Sequence, residues 1–82
     1  MTHFRPFEPA NPITLRKTGH GYAVMDGERP IGWVNRLVSG EAGAIIRWQT
    51  IISTGPDRWD YKALGIARTR RDAIRSVLRN AH

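Results

Sequence analysis

Ala44-Ile45-Ile46-Arg47-Trp48-Gln49-Thr50-Ile51-Ile52-Ser53 is the stretch on which the fold turns. It is dense in β-branched side chains and carries no glycine or proline, so it favours an extended, pleated chain over a helix. Successive side chains of a strand point to opposite faces. Ile46, Trp48, Thr50 and Ile52 therefore share one side, and Ile45, Arg47, Gln49 and Ile51 share the other. The first set makes the better core face, which leaves Arg47 and Gln49 on the outer one.

Working outward from this strand, turn signals divide the rest of the chain. Upstream, Ser39-Gly40-Glu41-Ala42-Gly43 separates it from Ile31–Leu37, a strand whose edge is marked by Pro30. Asp26-Gly27 is a hairpin signal, because glycine accepts the positive φ that a tight turn demands. Before it, Tyr22–Met25 and the alternating Ile13-Thr14-Leu15-Arg16 read as two more strands around a Gly19-His20-Gly21 turn. Downstream, Thr54-Gly55-Pro56-Asp57 ends the central strand. Arg58-Trp59-Asp60-Tyr61-Lys62 reads as a surface loop with two aromatic anchors, and Ala63–Ala67 as a short return strand.

Thr69 begins the one helix. Its hydroxyl is placed to accept from a free amide of the first turn while Asp72 reaches back, a variant of the capping box. Ala73, Ile74, Val77, Leu78 and Ala81 form an apolar stripe at helical spacing, which must lie on the sheet. Arg71, Arg75 and Arg79, each four apart, make a ladder on the outward side. The expected architecture is α+β: a three- to five-stranded antiparallel sheet packed on one C-terminal helix over residues 13–82. Ahead of it, Pro6, Pro9 and Pro12 recur at the period of a polyproline II helix, which predicts an extended arm over residues 1–12. The arm is either a ligand for a partner's groove or a strap whose Phe4 and Phe7 tack onto the domain.

An 82-residue chain has room for one thin core. Its 13 basic and 7 acidic residues give a formal charge of +6, which points to nucleic acid or an acidic protein surface as partner. Most of the imbalance falls after residue 41. Eleven of the basic residues are Arg, the side chain suited to bidentate contact with phosphate or carboxylate; a GC-rich genome produces the same bias. With no Cys, disulfides and thiolate chemistry are excluded, and a reducing cytoplasm is the expected compartment. No stretch reaches the roughly 18 apolar residues of a membrane span.

The supply of catalytic groups is thin. His3 and His82 lie at the chain ends, so His20 is the one candidate general base or acid, the residue a small basic ribonuclease would use. Asp57 and Asp60 offer too few oxygen ligands for a calcium site. Gly19-His20-Gly21 lacks the lysine and following helix of a phosphate-binding loop. No cofactor, no metal and no enzymatic activity are expected.

Binding fits the residues better. If the helix covers the Trp48 face, the open face shows Arg47 and Gln49 and, by alternation, Arg16 and Arg36. That is a basic β-surface able to reach base edges and phosphates, with Arg71, Arg75 and Arg79 as flanking charge. The stretch Leu64-Gly65-Ile66-Ala67-Arg68-Thr69-Arg70-Arg71-Asp72-Ala73-Ile74-Arg75 resembles the strand-to-helix junction of plant ethylene-response-factor DNA-binding domains and of the arm-binding domains of phage tyrosine integrases. That resemblance implies a sheet that reads DNA, through Arg36, Arg47 and Gln49 here. Ile31-Gly32, Trp48 and Gly65-Ile66-Ala67-Arg68-Thr69 also resemble small uncharacterised proteobacterial and phage proteins. The competing class is a phage-type inhibitor or adaptor that docks on a host nucleic-acid-handling complex, such as a CRISPR surveillance complex. Trp33, Trp59 and Tyr61 would then be its anchors. Either a monomer or an edge-strand homodimer is compatible with the pattern.

Overall fold

The computed structural model describes residues 11–57 and 59–81. The arm expected over residues 1–12 lies outside them apart from Asn11 and Pro12, as do Arg58 and His82. Five strands, β1 (Ile13–Lys17), β2 (Gly21–Asp26), β3 (Arg29–Ser39), β4 (Ile45–Ser53) and β5 (Tyr61–Ala67), precede one helix, α1 (Arg70–Asn80). The strands form one antiparallel sheet in chain order, an up-and-down meander in which every connection is short. The α+β architecture expected from the turn signals is the one observed. β5 starts two residues earlier than expected: Tyr61 and Lys62, read as loop, pair with Ser53 and Ile52.

The faces of β4 divide as expected except at Ile46, which shares the expected core face but is exposed where β4 runs beyond the end of β5. Thr50 and Ile52 are buried, and Trp48 packs against the core. α1 crosses this face, resting on β4, β3 and β5. Its apolar stripe supplies Ala73, Val77 and Ala81 to the core, with Ile74 and Leu78 beside them. Burying Val77 completely is worth roughly 1.5–3 kcal/mol. Thr69 caps the helix by accepting from the Asp72 N–H at 3.1 Å. The expected return contact from the Asp72 carboxylate is absent among the described hydrogen bonds, so half of the capping box forms. Arg71, Arg75 and Arg79 are all exposed.

Two bulges shape the seat of the helix. Register shifts occur between Val24 and Met25 and between Thr50 and Ile51. They leave Ile31 and Leu64 as extra residues, and both pack into the helix-side core. A bulge sets two consecutive residues against one partner, and in both cases the second is glycine: Ile31-Gly32 and Leu64-Gly65. At Gly32 the helix comes so close that an added Cβ would lie 2.5 Å from Val77 Cγ1. Gly65 takes φ 135°, a conformation open to glycine.

β3 and β4 are longer than their neighbours. β2 pairs with β3 only as far as Asn35, and β5 with β4 only as far as Trp48. The remainder, Arg36–Ser39 against Ile45–Arg47, projects as a two-stranded ribbon closed by a 3-10 turn at Glu41–Gly43. Leu37, Val38, Ile45 and Ile46 on this ribbon are exposed. No helix among the described residues is long and apolar enough to cross a membrane.

Candidate functional site

The register corrects one expectation at once. Arg36 stands directly opposite Trp48, and Val34 opposite Thr50. Arg36 therefore lies on the helix face, on the side opposite Arg47 and Gln49. The physical reason is Gly32. β3 could have turned Ile31, Trp33 and Leu37 inward, but α1 needs the close approach that Gly32 permits, and the bulge lets Ile31 join the core anyway. Gly32, Val34, Arg36 and Val38 consequently face the helix, and Trp33 faces outward.

The face away from the helix is less basic than expected, and it is not bare throughout. Arg16, Arg47 and Gln49 are on it, yet Arg16 and Arg47 sit on β1 and β4, about 14 Å apart from strand spacing alone. Arg16 is also bonded to Glu28 at 3.4 Å, and Arg47 donates to the Ile46 carbonyl at 2.9 Å. Between them lie buried Ala23 and Met25 and half-buried Trp33 and Ile51. Gln49 pairs across the strands with Asn35 and Ile66.

Charge converges instead on the helix side, where the ribbon leaves the sheet. Lys17 opposes Tyr22 across β1 and β2. Tyr22 and Trp48 approach to 6.4 Å between ring centroids, tilted by 33°. Arg70, the first residue of α1, lays its guanidinium 5.0 Å from the Tyr22 ring centroid and donates to the Tyr22 hydroxyl at 3.2 Å. The Arg36 N–H donates to the His20 carbonyl at 2.7 Å, which ties the ribbon to the β1–β2 turn. That turn is braced by the Thr18 hydroxyl, which accepts from the Gly21 N–H at 3.0 Å. The result is a groove of about 530 Å³ lined by Lys17, Thr18, Gly19, His20, Gly21, Tyr22, Arg36, Val38 and Trp48. Its floor is aromatic and its rim cationic. Lys17, Arg36 and Arg70 make no ion pair among the described residues.

A second recess, about 450 Å³, lies at the other end of the sheet between Arg29, Pro30, Trp33 and the Ser53–Asp57 turn. Trp59 and Tyr61 are 67% and 58% exposed in the chain that follows that turn. The three aromatic residues marked as anchors thus come from one end of the domain, away from the groove.

Of the residues singled out from sequence, Arg36 is the one the groove uses directly. The sequence pattern does not single out Lys17, Tyr22, Trp48 or Arg70 for binding, and it offers His20 only as a candidate acid or base. A face assignment for β3 places Arg36, but that assignment depends on the helix seat, and the other residues come from β1, β2, β4, α1 and a turn. Among the described residues, no cluster of three or more His, Cys, Asp or Glu side chains is placed to hold a metal ion. No family model, curated protein or solved structure matches the chain.

Proposed function

We propose that this chain is a non-enzymatic nucleic-acid-binding domain whose contact surface is the groove between the β1–β2 turn, the projecting ribbon and the start of α1. The observation that carries the reading is the convergence of Lys17, Arg36 and Arg70, none of them in an ion pair among the described residues, around half-buried Tyr22 and Trp48. Cations that do not neutralise carboxylates of their own chain are available to phosphate, and aromatic rings beside them offer a surface for bases. Arg68 and Arg71, both exposed, flank Arg70 in the chain and add to the positive charge near the start of α1. The lining residues include one imidazole and no carboxylate. That set is suited to holding a polyanion and poor in the paired acid and base that cleavage of a phosphodiester asks for.

The test is a salt series with labelled oligonucleotides followed by anisotropy. Contact by three or four cations gives a log–log slope of roughly −2 to −3 with a single strand. Lys17→Gln with Arg36→Gln should flatten that slope by about 1.4, and Arg75→Gln with Arg79→Gln should flatten it less. Absence of binding to any nucleic acid at low salt overturns the proposal.

A second reading is favoured by the aromatic end of the domain. Exposed Trp59 and Tyr61 near the Trp33 recess suit an inhibitor or adaptor that docks on a protein complex, since interface anchors are enriched in Trp and Tyr. Under that reading, Tyr61→Ala abolishes association with the complex and Arg36→Gln leaves it intact.

A further inference from the structure

We infer that the groove takes an unpaired base, making this a single-strand binder that contacts duplexes only through its rim. The inference rests on the nucleic-acid reading above and names which form of nucleic acid the site selects. Three observations carry it. First, the aromatic surface is recessed: Tyr22 and Trp48 are half-buried at the floor, with the Thr18–Gly21 turn on one side and Val38 of the ribbon on the other. In a duplex the faces of the bases are stacked on one another and only their edges reach the grooves, so a paired base cannot present a face to a recessed ring. An unpaired base can.

Second, the space fits one residue of a strand. About 530 Å³ falls within the roughly 300–1,000 Å³ of small-molecule pockets and is too little for a helix of any nucleic acid. Third, the cations are arranged for a backbone that passes over the base. Arg70 is fixed by its hydroxyl bond and its position over Tyr22, and Arg36 stands across from Trp48. With Lys17 beside Tyr22, the charges ring the aromatic floor, as backbone-tracking cations do in grooves that hold single strands through stacking.

The experiment uses the full chain with Trp33→Phe and Trp59→Phe, which leaves Trp48 as the sole tryptophan. Its fluorescence is followed while oligothymidylate of about a dozen nucleotides, within the site sizes of such grooves, is added. A mixed-sequence duplex of equal length is titrated in parallel. The expected result is Trp48 quenching by the single strand, with affinity at least about tenfold tighter than for the duplex, the weight of one base stack. Trp48→Leu, which keeps an apolar side chain against the core and leaves Arg70 on Tyr22, should weaken the single strand, followed by anisotropy of labelled strands, by roughly 5- to 100-fold and leave duplex binding within about twofold. Equal or tighter duplex binding without Trp48 quenching overturns the single-strand inference while the nucleic-acid reading stands. Binding to neither probe overturns both.

Discussion

Gly32→Ala tests the account of why β3 faces as it does. An ideal Cβ at this position lies 2.5 Å from Val77 Cγ1, 3.2 Å from Val77 Cγ2 and 2.6 Å from the Ile51 carbonyl oxygen. Carbon atoms in good contact are about 3.5–4.0 Å apart, so the added methyl overlaps Val77 by roughly 1 Å. Val77 has nowhere to turn. It is fully buried, and a β-branched side chain in a helix has one strongly preferred rotamer. Relief at Val77 requires α1 to lift from the sheet, and relief at the Ile51 oxygen requires β3 and β4 to shift against each other. Overpacking of this kind costs about 1–3 kcal/mol, and the stiffer unfolded chain returns roughly 0.4–1 kcal/mol. A net loss of about 1–2 kcal/mol lowers Tm by about 4–16 °C in a domain of this size, readable by thermal denaturation followed by circular dichroism. Val77→Ala alone costs about 2 kcal/mol through its cavity, yet it removes both methyl groups that the new Cβ meets. The double variant should therefore be less destabilised than the sum of the single ones, by at least about 0.5 kcal/mol. A Gly32→Ala protein melting within about 2 °C of the parent, or strict additivity with Val77→Ala, refutes the reasoning.

Other expectations follow from the same geometry. Thr69→Ala removes the cap on the Asp72 N–H and should cost about 1 kcal/mol, a fall in Tm of about 4–8 °C. Ala42 sits at φ 56° in the turn of the ribbon; Ala42→Gly should hold or raise Tm, whereas Ala42→Val, β-branched in the left-handed region, should lower it, and identical melting of the two removes the strain argument. Replacing Arg71, Arg75 and Arg79 by Gln should change stability by no more than about 0.5 kcal/mol per site, because all three are exposed, as chemical denaturation will show. RNA incubated with the protein should stay full length on a denaturing gel; shortening that is lost in His20→Ala refutes a binding-only role.

The fold was legible because each element announces itself locally. The β-branched run in β4, Asp26-Gly27, Thr69 and the Ala73–Ala81 stripe required no knowledge of distant residues. The site was less legible because it depends on which face β3 offers, and period-two alternation leaves that open. By composition, Ile31, Trp33 and Leu37 are the more apolar side of β3. The deciding residue is Gly32, whose value lies in the side chain it lacks. Arg36 followed it to the helix face, and the open face lost a cation on which the expected DNA-reading surface relied. Arg47, Gln49 and the outward Arg71, Arg75 and Arg79 are where the pattern placed them. The convergence of Lys17, Tyr22, Trp48 and Arg70 joins residues up to 53 positions apart in the chain, a distance that local patterns do not bridge.

The two bulges give the sheet slack in its length. Ile31 and Leu64 are surplus to the pairing: Pro30 and Gly32 are already matched with Met25 and Val24, and Ala63 and Gly65 with Ile51 and Thr50. Deleting either surplus residue forfeits its burial, up to about 3 kcal/mol, but keeps every other side chain on its present face. A single-residue deletion in the regular part of β3, between Trp33 and Arg36, instead reverses the facing of the strand beyond it unless the bulge is consumed to compensate. A chain of this design can thus change length by one residue at two defined points and still present the same groove.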